Sequence, residues 1–115
     1  GDAIAWYRYA KGTAEIGDIY VKRSKYNQYS RVEVAATVAH ELTHAMQHAE
    51  EGEEMHCSVE NEYWAYIVEL YVLLDNGRKD LIYENWSGLF DENWDFDTTK
   101  LWAALKKAYN SCPEY

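Results

Sequence analysis

All four histidines of this 115-residue chain lie in one predicted helix and the loop that follows it: His40, His44, His48 and His56. Upstream, Ser30 and Glu33 stand three positions apart, which is the capping-box pattern that begins an α-helix. We therefore expect a helix over about residues 31–49, ended by the glutamate-rich segment around Gly52.

Residue periodicity predicts how this helix is oriented. With 3.6 residues per turn, His40, Glu41 and His44 project from one side. Six apolar residues form a separate stripe: Val34, Ala35, Val38, Leu42, Ala45 and Ala49. We expect this stripe to pack against the rest of the domain, because burial of an apolar face stabilises an amphipathic helix. The His-Glu-His side would then face a cleft.

The other segments predict strands before this helix and further helices after it. Residues 3–9 and 18–23 have the pattern of short strands or a hairpin. A second helix should begin at Ser58 and end at Asn76-Gly77, and a last helix over residues 98–109 should begin at Asp97 or the threonine after it. Residues 78–97 show little periodicity. This order predicts one small α+β domain over residues 1–115.

The H-E-x-x-H spacing at residues 40–44 suits zinc chemistry. His40 and His44 lie one helical turn apart and can bind one Zn²⁺ ion. The intervening glutamate is then placed beside the metal's water rather than on the metal. Zinc lowers the pKa of that water toward about 7, and Glu41 can accept its proton as the catalytic base. The motif predicts hydrolysis by a metal-bound water.

A catalytic zinc ion needs a third protein ligand, which the spacing alone leaves open. His48 lies on the same side one turn further, but three ligands in a row suit a tetrahedral ion poorly. We interpret His48 as a rim residue or a hydrogen-bonding partner of a ligand. His56 and the carboxylates of the second helix remain, and there Glu60 and Glu62 point in nearly opposite directions, so only one can face the first helix.

The segments HELTH (residues 40–44) and ENEYWAY (residues 60–66) resemble the gluzincin metallopeptidases, the thermolysin-like class and its minimal single-domain relatives. The resemblance covers about residues 16–75 and implies that the single domain of residues 1–115 has a zincin-like fold. It implies that Glu62 is the third zinc ligand, because the family has a small residue three positions later, as Ala65 is here. It also implies that the upstream strand lines the cleft and pairs with an extended peptide substrate.

The chain departs from the family pattern four residues after Glu62. The family commonly has Asp or Asn there to orient a ligand histidine, whereas this chain has Tyr66. Glu69, on the same helical side as Glu62, or the Tyr66 hydroxyl could take that role. The sequence does not identify which residue stabilises the oxyanion of the reaction. The candidates are His56, Tyr63, Tyr83 and Tyr109.

Composition limits the partners of such a domain. The net charge of −9 argues against nucleic acid or an anionic membrane as partner, and no apolar run approaches the roughly 18–20 residues that span a bilayer. We expect a soluble domain that acts on a peptide or protein.

The compartment of the protein stays open, because the chain begins without Met and an N-terminal signal could be missing. Cys57 and Cys112 are compatible with a disulfide and with two separate thiols.

Two other interpretations stay open. A metal-binding but non-hydrolytic module would keep the helix and lose the cleft. Tyr66 and the short chain favour this module, whereas Glu41 favours hydrolysis, because metal binding alone does not need that residue. An interaction domain would instead use its tyrosines and tryptophans as a binding surface, and zinc content would separate it from the other two.

Overall fold

An antiparallel hairpin begins the part of the chain that the computed structural model describes, residues 3–109. Strand β1 (Ala5–Arg8) pairs with strand β2 (Asp18–Val21), with Ala5 opposite Val21 and Arg8 opposite Asp18. Burial alternates along β1, as expected for a sheet with one covered face. Gly17 lies where the chain returns, and a Cβ there would collide with the backbone oxygen of Arg8. The predicted strands are confirmed in shortened form.

Five α-helices follow the hairpin in the described residues: α1 (Arg23–Gln28), α2 (Arg31–Glu51), α3 (Val59–Asp75), α4 (Lys79–Trp86) and α5 (Thr98–Ala108). The three long helices begin where their capping residues predict. Ser30 and Glu33 form the complete capping box of α2, while Ser58 and Asp97 accept backbone N–H groups at the starts of α3 and α5. The α+β fold predicted from the sequence is therefore confirmed.

Two helices have no counterpart in the sequence-based prediction. Helix α1 has six residues and buries none of them, and α4 has eight residues and buries only Leu81 and Ile82. Neither helix has a side-chain hydrogen bond at its N-cap. Without a cap or an apolar period, such short helices leave little signal in a sequence.

Helix α3 lies at the centre of the described fold. It packs against α2, α4 and α5, while β1 packs on α2. The core between these helices is built mainly from aliphatic side chains, among them Leu70, Leu73, Ile82, Leu101 and Leu105. This arrangement places α2 between the hairpin and α3.

The predicted burial of α2 is wrong for half of the apolar stripe. The buried residues are Val34, Ala36 and the three helical histidines at 40, 44 and 48. Leu42 is 50% exposed, and Ala35 and Ala49 are exposed too. The reason is that β1 and α3 both pack on the histidine side, where polar partners satisfy the imidazoles, so hydrophobicity alone did not identify the buried face.

Two predictions on the rest of the chain can be compared with the structure. No helix within residues 3–109 is both long and apolar enough to span a membrane. Cys57 is disulfide-bonded. Cys112, the other cysteine of the sequence, lies outside the described residues.

Candidate metal centre

Three ligand-type atoms from α2 and α3 converge inside the fold. His44 Nε2 lies 3.2 Å from His40 Nε2 and 2.9 Å from Glu62 Oε1, and the His40 Nε2 to Glu62 Oε1 distance is 3.2 Å. The three residues are buried, with 7%, 1% and 3% of their surface exposed for His40, His44 and Glu62. This buried group could hold a metal ion.

The spacing of the three atoms fits a tetrahedral ion. Ligands about 2.0–2.1 Å from such an ion lie about 3.3 Å from one another. The outer nitrogen of each imidazole faces a polar group on its other side, so His40 and His44 turn their Nε2 atoms toward Glu62. Lone pairs at this spacing repel each other unless a cation or extra protons lie among them.

In the absence of metal, the opposite charges of the histidines and carboxylates shift two pKa values. Burial alone would lower the pKa of His40, but the adjacent carboxylates of Glu62 and Glu69 outweigh this effect and raise the pKa to about 10. Burial would raise the pKa of Glu62, but His40 and His44 hold it at about 2. The site therefore stabilises positive charge at its centre.

Glu69 lies on the far side of the His40 ring. Its Oε1 atom is 2.7 Å from His40 Nδ1, although the contact falls outside the angular range of a good hydrogen bond. Glu60, the alternative to Glu62, is exposed on the other side of α3.

Gln47 is a site residue that the sequence analysis missed. Its Oε1 atom lies 2.9 Å from His44 Nδ1, and its Nε2 atom donates to the backbone oxygen of Asn61 at 2.9 Å. The signal in the sequence was the i, i+3 spacing from His44, which places the two side chains on one helix face.

Glu41 borders a cavity of about 300 Å³ beside the ligand group. His40, Tyr66 and Glu69 also line this cavity. Burial raises the pKa of the Glu41 carboxyl above its usual range, more than the neighbouring imidazoles lower it. The backbone N–H of Tyr7 donates a hydrogen bond to this carboxylate. The half-buried Glu41 carboxylate therefore lies at the cavity wall.

The strand beside the cavity is β1, not the strand implied by the family resemblance. That resemblance covered residues 16–75, so the expected strand was β2. Ala5 of β1 lines the cavity, together with Ala3 and Ile4, and no residue of β2 does. The reason is that the first strand of the hairpin packs on α2, with β2 on its outer side.

Tyr66 packs edge-on against the His40 ring, with the ring centroids 4.5 Å apart. Burial, and then its hydrogen bond with Tyr109, raises the pKa of the Tyr66 phenol. Of the four residues considered as oxyanion stabilisers, Tyr109 therefore contacts the phenol that lines the cavity beside His40. Tyr63 packs on Trp64 and Trp102, Tyr83 packs on Trp94, and His56 is exposed.

His48 is neither at the rim nor in contact with the ligand atoms. It is 0% exposed, and its ring contacts the Tyr7 hydroxyl at 2.8 Å and the Thr13 backbone oxygen at 2.6 Å. The Thr13 oxygen can only accept, so His48 Nε2 donates to it and Nδ1 accepts from the Tyr7 hydroxyl. His48 thus ties the hairpin to α2.

Comparison with known proteins places the chain in a family but gives it no function. No curated protein and no solved structure matches the chain. The model of a family of unknown function, DUF6639, matches residues 14–95, which include the whole of the ligand group. Because this match covers more than half of the chain, the protein belongs to the DUF6639 family of unknown function.

Proposed function

We propose that the protein is a zinc-dependent peptidase in which His40, His44 and Glu62 hold the ion and Glu41 is the catalytic base. The observation that carries the proposal is the convergence of three ligand atoms at tetrahedral spacing beside a cavity bordered by the half-buried Glu41. The similarity of HELTH and ENEYWAY to gluzincin metallopeptidases supports the same assignment.

The donor set favours zinc among the common metals. Two imidazole nitrogens and one carboxylate oxygen are a usual protein ligand set of catalytic zinc, whereas calcium and magnesium bind through oxygen ligands. A bound zinc ion supplies Lewis acidity, which polarises a carbonyl and lowers the pKa of water.

The residues around the ion have separate tasks. Glu41 accepts a proton from a water molecule in the cavity and returns it to the leaving amine. Its raised pKa suits both steps, since a carboxylate that binds protons more readily is a better base.

The outer edge of β1, with which no other strand of residues 3–109 pairs, supports a peptide as the substrate. Lys22 N donates to Ile4 O, and ladder hydrogen bonds alternate along an antiparallel pair. The backbone groups of Ala5 therefore point away from β2, and Ala5 lines the cavity. An extended peptide beside His40 and Glu41 could pair with this edge.

Zinc content of purified variants tests the ligand assignment. We expect about one zinc ion per chain in the wild type and loss of zinc in Glu62→Ala, because two histidines alone leave the site incomplete. Glu60→Ala is the matched control, because Glu60 is an exposed glutamate two residues before Glu62 in the same helix. Retention of zinc by Glu62→Ala and its loss from Glu60→Ala would contradict the assignment.

The substitution Glu41→Gln tests the reaction. We expect it to keep zinc and fold but to reduce cleavage of a degenerate peptide library by about 100-fold or more, because the amide cannot accept a proton. Unchanged turnover would remove Glu41 from the mechanism. A wild type that binds zinc and cleaves no peptide would support the non-hydrolytic module instead.

A further inference from the structure

One side chain links the two helices that carry the ligand group. Gln47 lies in α2, three residues after His44, and reaches the backbone oxygen of Asn61, the residue before Glu62. Asn61 is itself fixed, because its side-chain amide donates to Glu51 Oε2 at 3.0 Å and to the His56 backbone oxygen at 3.3 Å. The link is therefore anchored at both ends.

The direction of each hydrogen bond in this link follows from its last acceptor. A backbone oxygen can only accept, so the Gln47 –NH₂ group must face Asn61. The Gln47 amide oxygen then faces His44 Nδ1 and can only accept from it. The neutral His44 ring must therefore carry its proton on Nδ1, which leaves the lone pair of its Nε2 atom toward Glu62 and His40.

We propose that Gln47 is the positioning residue for His44: it fixes the proton on Nδ1 and so reserves Nε2 for the metal. The inference rests on the proposed zinc site and adds a residue to it. The carbonyl of Asn61 acts through Gln47, so α3 determines which nitrogen of a histidine in α2 binds the ion. Outer hydrogen-bond partners of this kind fix the tautomer and orientation of a ligand imidazole.

The two ligand histidines then have different partners. His40 faces a carboxylate, Glu69, whereas His44 faces an uncharged amide. An amide can hold its orientation here because both of its ends are engaged, one by a donor and one by an acceptor. A glutamate at position 47 would keep the acceptor for His44 and lose the donor to Asn61.

The substitution Gln47→Met tests the proposal, since methionine has a similar length and forms neither hydrogen bond. We expect the zinc dissociation constant, measured by chelator competition, to rise about tenfold or more. We also expect imidazole ¹⁵N spectra, recorded with and without zinc, to show that His44 no longer carries its proton mainly on Nδ1. Gln28→Met, at the exposed end of α1, is the control and should change neither measurement.

Gln47→Glu separates positioning from a general effect on folding. It should keep the His44 proton on Nδ1 and bind zinc more tightly than Gln47→Met, because the acceptor for His44 is still present. The proposal is overturned if Gln47→Met keeps wild-type affinity and an unchanged His44 tautomer, or if Gln47→Glu loses the tautomer. A wild type that binds no zinc would refute the zinc site itself, while the spectra of the metal-free protein would still decide the role of Gln47.

Discussion

At the scale of single residues, His40 is held between a carboxylate and a phenol ring. Glu69 approaches its Nδ1 atom, and Tyr66 packs on its ring. We predict that Glu69→Gln weakens zinc binding about tenfold or more, because the imidazole loses a charged acceptor for its N–H. Tyr66→Phe should matter less, because the Tyr66 hydroxyl is engaged by Tyr109 and not by a ligand.

Chelator competition on the two variants distinguishes these roles. If Tyr66→Phe proves more damaging than Glu69→Gln, the phenol orients His40 and the carboxylate does not. Glu84→Gln, at an exposed carboxylate of α4, controls for the change in net charge.

The candidate site shows which residues a sequence can reveal. His40, Glu41 and His44 stand in a recognisable motif, and helical phase placed Glu69 on the same side of α3 as Glu62. Gln47 had the right spacing but no distinctive chemistry, because a glutamine on a helix surface is ordinary. The role of Gln47 depends on the backbone carbonyl of Asn61, which belongs to a different helix. The helical phase of residues within α2 does not indicate such a contact between helices.

At the scale of elements, His48 and Tyr7 join the hairpin to α2. The Tyr7 hydroxyl accepts from Gly17 N at 2.8 Å and donates to His48 Nδ1, so it satisfies two groups at once. We predict that Tyr7→Phe lowers the free energy of unfolding by roughly 1–3 kcal/mol, because both groups lose their partner. Zinc stoichiometry should stay at its wild-type value, since Tyr7 contributes no ligand atom.

Denaturant titration of the metal-free protein measures this effect. Tyr20→Phe, on the exposed face of β2, is the matched control and should stay within about 0.5 kcal/mol of the wild type. A Tyr7→Phe protein as stable as that control would show that the bridge contributes little to the attachment of the hairpin.

At the same scale, the starts of the long helices could be predicted from the sequence, but the buried face of α2 could not. Helices α2, α3 and α5 were predicted because side chains at their N-termini mark their starts. The buried face of α2 was predicted wrongly because β1 and α3 compete for its histidine side, and that choice depends on partners distant in the chain. Leu42 remains half-exposed as a result.

At the scale of the whole molecule, the ligand group connects α2 to α3 and makes folding sensitive to pH when no metal is bound. In the metal-free protein the pKa of His40 is raised to about 10 and that of Glu62 is lowered to about 2. A raised histidine pKa adds stability that is complete below its unfolded value of 6.5 and is lost as pH rises toward 10. A lowered carboxyl pKa adds stability above 4.5 that is lost as pH falls toward 2.

We therefore predict that the melting temperature of the chelator-treated protein falls between about pH 6.5 and about pH 10. Comparison with His40→Gln isolates this contribution, because the variant keeps every other titrating side chain and lacks the imidazole. The zinc-loaded wild type should show no such fall, since the ion takes the place of the proton between His40 and Glu62. If the melting temperatures of metal-free wild type and His40→Gln change equally with pH across this range, the proton on His40 does not stabilise the contact between α2 and α3.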